Sequence, residues 1–141
     1  MRRLLFITIL ILMVLTAVVP EVSAGVLIIV HPDNIDQSLE STELERIYLG
    51  KTTHWSDDSP IKAVMLKKGT THEAFLNQYM DRTMHRFVSY WRQMIFTGKG
   101  IPPLSFPDEA KLAAYVAETP GSVGYISDGT LAPGVQIMKI R

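Results

Sequence analysis

Residues 67–72 read Lys-Lys-Gly-Thr-Thr-His, two cations and a glycine leading into two hydroxyl side chains. At the start of a helix that follows a strand, such a turn offers free backbone N–H groups, the positive end of the helix dipole and hydroxyl donors to one small oxyanion. Gly69, Thr70 and Thr71 are the candidate contacts, and Lys68 adds attraction for an anion. Thr70 and Glu73 also have capping-box spacing, so the same residues read equally as a helix start that satisfies itself. A second glycine-rich turn, Thr97-Gly98-Lys99-Gly100, presents donors and a cation. It lacks the spacing of a P-loop and a hydroxyl residue after the lysine, so a helix stop accounts for it better than nucleotide binding.

Other chemistries find little support. His31, His54, His72 and His85 are scattered, with no pair four apart on a helix, and His72-Glu73 lacks the second histidine of a metalloprotease helix. No metal site is expected. The chain has no cysteine, hence no thiol nucleophile and no disulfide, and no serine sits in a glycine-flanked elbow. Asp57 and Asp58 fall in a turn-rich segment where solvated carboxylates belong. These observations argue against an enzyme and name no catalytic residue or cofactor. Fourteen Lys and Arg balance 14 Asp and Glu, without a long run of either sign, which makes nucleic acid an unlikely partner.

The elements that position the Gly69 turn follow from hydrophobic periodicity. Residues 26–30, VLIIV, form a short β-branched run suited to a strand covered on both faces. Thr42 and Glu45 have capping-box spacing ahead of a helix with Leu44, Ile47 and Tyr48 on one face, closed by Gly50. Residues 61–66 are a second strand. The helix opening at Thr70 carries Phe75, Leu76, Tyr79 and Met80 as its stripe, and a third, over 83–96, turns Phe87, Tyr90, Trp91, Met94 and Ile95 inward. Of the aromatic set Tyr79, Tyr90, Trp91 and Phe96, helical spacing assigns most to the core. Pro102 and Pro103 hold the chain extended, and Pro107-Asp108 announces a fourth helix with Leu112, Tyr115 and Val116 as core positions. Residues 122–126 and 135–140 read as strands around the turn Ser127-Asp128-Gly129. Strands alternating with helices predict an α/β layer fold with a mainly parallel sheet and helices on both faces. Sites in such sheets lie beyond the carboxyl ends of the strands. That rule selects His31 with Asn34, residues 67–71, and Ser127 with Asp128.

The first 24 residues have a different character. Arg2 and Arg3 precede an apolar run over 4–19, and Val22-Ser23-Ala24 reads as a small-residue cleavage site. This is the pattern of a signal peptide, with the mature chain, residues 25–141, starting near Gly25 in the periplasm. The run is short for the roughly 20 residues of a spanning helix. The mature segment has the size of one domain.

Three segments in order, LERIYLGKTTHW (44–55), KKGTTHEAF (67–75) and TPGSVGYI (119–126), together resemble the second lobe of phosphate-specific ABC transporter solute-binding proteins. IFTGKGIPP (95–103) is similar to short single-lobe relatives described as phosphate-binding-protein-like. The resemblance implies a type II periplasmic-binding-protein-like lobe in which Ile47, Tyr48, Trp55, Val123, Tyr125 and Ile126 fill the core. In that family the turn usually reads Ser-Gly-Thr, has an arginine nearby and holds phosphate oxygens. Here Lys68 stands in place of the serine and no arginine is adjacent. The implied ligand is phosphate or a similar oxyanion, bound weakly by Gly69, Thr70, Thr71, Lys68 and Ser127 because only one lobe is present. The implied partners are an ABC transporter permease, an envelope sensor protein or a second copy in a homodimer. The alternative is an accessory or sensory interaction module that has lost the ligand.

Overall fold

The computed structural model describes residues 25–141. The expected leader, residues 1–24, lies outside the described residues. Among the described residues no helix is long and apolar enough to cross a membrane.

Six strands form one sheet: β1 (Val26–Val30), β2 (Ser38–Leu39), β3 (Lys62–Leu66), β4 (Leu104–Phe106), β5 (Ser122–Ser127) and β6 (Gln136–Ile140), in the order β2-β6-β1-β5-β3-β4. The helices are α1 (Ser41–Tyr48), α2 (Thr70–Phe75), α3 (Met84–Phe96) and α4 (Glu109–Glu118). The pairs β2–β6, β3–β4 and β3–β5 are parallel, while β1 is antiparallel to both β5 and β6. Five strands therefore share one direction and β1 alone is reversed, at the centre of the sheet. The mainly parallel α/β fold is as expected. The reversed strand is not readable from residue pattern, because a buried strand looks the same in either direction.

Helices cover both faces, and β5 shows how. Side chains alternate across a strand. At Gly124 an added Cβ would come within 2.7 Å of Leu112 Cδ2 and 3.0 Å of Val64 Cγ2, so α4 packs against bare backbone there. On the opposite face Tyr125 stacks on Phe75 of α2, with centroids 3.9 Å apart and planes 6° from parallel. Tyr48 of α1 meets Phe75 edge-on at 4.7 Å. The Tyr48 hydroxyl donates to the carbonyls of Val64 (2.9 Å) and Val123 (3.3 Å), tying α1 to two strands. All six residues expected to fill the core from the quoted segments are buried.

Several local expectations are corrected. The capping box at Thr42 does not form: Glu40 is the N-cap without a side-chain bond, and the Ser41 N–H donates instead to the Arg141 carbonyl at 2.9 Å. The helix from Thr70 changes to π winding over Leu76–Met80 and ends at Asp81 in the left-handed region, while Phe75, Leu76 and Met80 stay buried. Thr83 caps α3, accepting from the Arg86 N–H. Ile95, assigned inward, is 56 % exposed and Phe96 is 91 % exposed, so the last turn of α3 does not pack inward. Strands β2 and β4 were not expected, being too short to show a period.

Candidate functional site

The parallel pairing of β3 with β4 and β5 brings three carboxyl ends together: Leu66, Phe106 and Ser127 finish at one end of the sheet. A shallow depression of about 250 Å³ opens there, lined by Leu66, Lys68, Gly69, Thr70 and Thr71 on one side and by Pro107, Asp108 and Glu109 on the other.

Gly69 is the N-cap of α2, with φ 108° and ψ 171°, a region essentially closed to residues with a Cβ. A Cβ built there meets nothing within 4 Å, so the backbone angle, and not crowding, demands glycine. Having no side chain, Gly69 supplies no cap, and the Glu73 N–H is the first to bond back, to the Gly69 carbonyl at 3.1 Å. Thr70 is the first helical residue. The self-capping reading of Thr70 and Glu73 is therefore corrected: no side chain caps this helix start. By helix geometry the N–H groups of Thr70, Thr71 and His72 have no intrahelical acceptor. Gly69 and Thr70 are exposed, Thr71 is half-buried, and Lys67 and Lys68 stand exposed beside them. The Lys67 N–H is committed to the Phe106 carbonyl at 2.9 Å.

Beneath the turn lies a buried polar clamp. The Tyr125 hydroxyl accepts from the Leu66 N–H at 2.9 Å and bonds His72 Nδ1. With His72 as the Nε2–H tautomer, Nδ1 accepts the Tyr125 proton and the buried hydroxyl is satisfied both as donor and as acceptor. Burial pushes the His72 pKa down to about 4, so the ring is neutral around pH 7. Burial raises the Tyr125 hydroxyl above its ordinary value, and the charge of Glu109 adds to the rise. One hydroxyl thus ties the residue before the turn to the third residue of α2.

Ser127 stands at the same end of the sheet, but its N–H and hydroxyl both bond the Glu109 carboxylate, the hydroxyl at 3.1 Å. Thr130 Oγ1 adds a contact to that carboxylate at 3.2 Å. Asp108 caps α4, its Oδ1 accepting from the Lys111 N–H at 2.8 Å. Sequence reasoning recognised Pro107-Asp108 as a helix start but did not bring it to the Gly69 turn. That juxtaposition depends on β3–β4 pairing.

His31 and Asn34 do not join the others. Val26 pairs with Ser127, so β1 begins where β5 ends and finishes at the far end of the sheet. There Asn34 lines a cavity of about 390 Å³ with Asp33, Trp55, Asp57, Lys62 and Gly121. Its Oδ1 accepts from the Asp36 N–H at 2.8 Å, and its Nδ2 is buried without a partner among the described residues. Trp55 Nε1–H donates to the Gly121 carbonyl at 3.0 Å.

The fold is shared with known proteins. An ABC-type phosphate transport receptor from Vibrio cholerae superposes with a TM-score of 0.65 at 20 % identity, over 83 % of this chain and 46 % of that one. PstS from Borrelia burgdorferi gives 0.65 at 13 % identity, over 84 % and 47 %, and a phosphate-binding protein from Stenotrophomonas maltophilia gives 0.64 at 14 %, over 84 % and 39 %. The chain spans less than half the length of these structures, and at such identities the likeness is one of fold. Among curated proteins no sequence match is found. The family model for the PBP superfamily domain matches residues 18–135, and the chain belongs to that family.

Proposed function

We propose that the chain is an exported binding protein whose Gly69 turn takes phosphate or a similar small oxyanion through the N–H groups of Thr70, Thr71 and His72, with the Thr70 and Thr71 hydroxyls and Lys68 as further donors. The observation that carries this reading is the uncapped, solvent-facing start of α2, its backbone held open by a glycine-only conformation and anchored from below by Tyr125. Oriented amides and a helix dipole favour an anion without reorganisation on binding. Two of the similar structures are a phosphate transport receptor and a phosphate-binding protein, which supports the choice of anion. Removal of residues 1–24 on export would deliver the chain to the periplasm, where such proteins meet their ligand.

One wall of donors leaves part of an anion hydrated, so affinity is low until a second surface covers it. That surface belongs to an ABC transporter permease, an envelope sensor or a second copy of the chain. Calorimetric titration with phosphate and with sulfate should give saturable binding with Kd on the order of 1 mM, or about −4 kcal/mol. Gly69→Ala, strained by about 1–3 kcal/mol at this backbone angle, should abolish the signal. Thr71→Ala, which leaves the turn intact, should weaken it about fivefold, the scale of one hydrogen bond. No heat with either anion at about 10 mM would remove the proposal.

A further inference from the structure

The carboxylate of Glu109 is held as a bound anion would be. It receives the Ser127 N–H, the Ser127 hydroxyl and the Thr130 hydroxyl. The two hydroxyl oxygens also lie 2.8 Å from each other, so their two protons can make at most two of these three hydroxyl contacts at once. This group is built without Glu109. The Thr130 N–H closes the turn onto the Ser127 carbonyl at 3.0 Å, and the Asp128 N–H bonds the Gly25 carbonyl at 2.8 Å, fixing the turn to the start of β1. The donors would keep their places if the carboxylate left.

Glu109 also lines the depression opposite Lys68, Gly69, Thr70 and Thr71. Its charge therefore stands between two donor sets, one that it occupies and one that it faces. A negative group a few ångströms from an anion site in partly solvated surroundings lowers anion affinity by electrostatic repulsion.

We propose that Glu109 is a tethered anion: its carboxylate occupies the Ser127–Thr130 donors that an inorganic oxyanion would otherwise take, and so holds the depression in a low-affinity state. The location rests on the oxyanion reading of the Gly69 turn, but the donor set is a separate one. Asp108 and Asp128 flank Glu109 and Ser127 in the chain, and Asp108 Oδ1 is already engaged by the Lys111 N–H. They oppose an incoming anion in the wild type and in the variants alike.

The test is inorganic phosphate titrated into the wild type, Glu109→Ala, Glu109→Gln and the double variant Glu109→Ala with Ser127→Ala, followed by calorimetry and by the amide resonance of Ser127. Glu109→Ala should bind phosphate on the order of tenfold more tightly, the scale of removing one nearby like charge. Its Ser127 amide should shift on titration while the wild-type amide does not. Glu109→Gln, isosteric and safe for the fold, should gain less, because its amide oxygen still accepts from the same donors. The double variant should lose the part of the gain that phosphate on the vacated Ser127–Thr130 donors supplies and keep the part that comes from relieved repulsion. The proposal is overturned if both single variants bind no tighter than wild type, if the gain survives Ser127→Ala undiminished, or if the Ser127 amide of Glu109→Ala does not move on titration. A wild type with no phosphate binding, beside a Glu109→Ala variant that binds through Ser127, would end the Gly69 reading and uphold this one.

Discussion

The two ends of the sheet carry cavities that differ in their backbone donors. Where β3, β4 and β5 finish, a helix start presents uncapped N–H groups, and the polar atoms behind it are paired through Tyr125, His72 and Leu66. Where β1 finishes, the cavity is larger, but Asp33 and Asp57 line it, and hydrogen bonds from Ser59 hold the Asp57 carboxyl below its usual range. Each cavity is lined by two carboxylates and one lysine, Asp108, Glu109 and Lys68 at the first and Asp33, Asp57 and Lys62 at the second, so the uncapped helix start is what sets them apart. On the proposed reading the fixed backbone dipoles of the helix start, and not volume or side-chain charge, single out the first end for an anion.

That contrast can be broken most forcefully at Tyr125. Replacing it with Phe keeps the stack on Phe75 but strands the buried Leu66 N–H and His72 Nδ1, at about 1–3 kcal/mol for each group left unpaired. Chemical denaturation should register the loss, and phosphate binding should weaken with it because the Gly69 turn loses its anchor. If stability falls and binding does not, the clamp does not position the site.

A second effect is pH-dependent. The folded pKa of His72 is about 4, below its ordinary value of 6.5. The unfolded chain therefore binds the extra proton first, and this contribution to stability is fully present above about pH 6.5, is lost as pH falls toward about 4, and levels off below that. Melting temperatures across this window should show a slope that His72→Gln flattens. An unchanged slope in the variant would assign it to other groups.

The smallest effect is expected from the far end. Asn34→Ala removes an unpartnered buried amide nitrogen and should leave phosphate affinity at the Gly69 turn within about twofold of wild type, since charge-free changes across the sheet act independently. A larger loss of affinity would show that the two ends are coupled.

Much of this architecture was legible in the residues. The run at 26–30, the stripe Phe75, Leu76 and Met80, the Asp108 cap and the glycine before Thr70 each report a local requirement, namely burial of a period-2 or period-3.6 face, satisfaction of a helix terminus, or a backbone angle with no room for a Cβ. Those requirements act over a few residues and leave a mark on residue type. They determined the α/β class and nominated Gly69, Thr70 and Thr71.

Tertiary structure alone decided the rest. The reversed direction of β1 sends His31 and Asn34 to the far end, and a strand buried on both faces has no residue pattern that encodes direction. Pairing of β3 with β4 sets Glu109 across from the Gly69 turn, and the end of β5 delivers Ser127 to that carboxylate instead of leaving it open. Such contacts join residues far apart in the chain, and their energy appears only once the sheet has chosen its order.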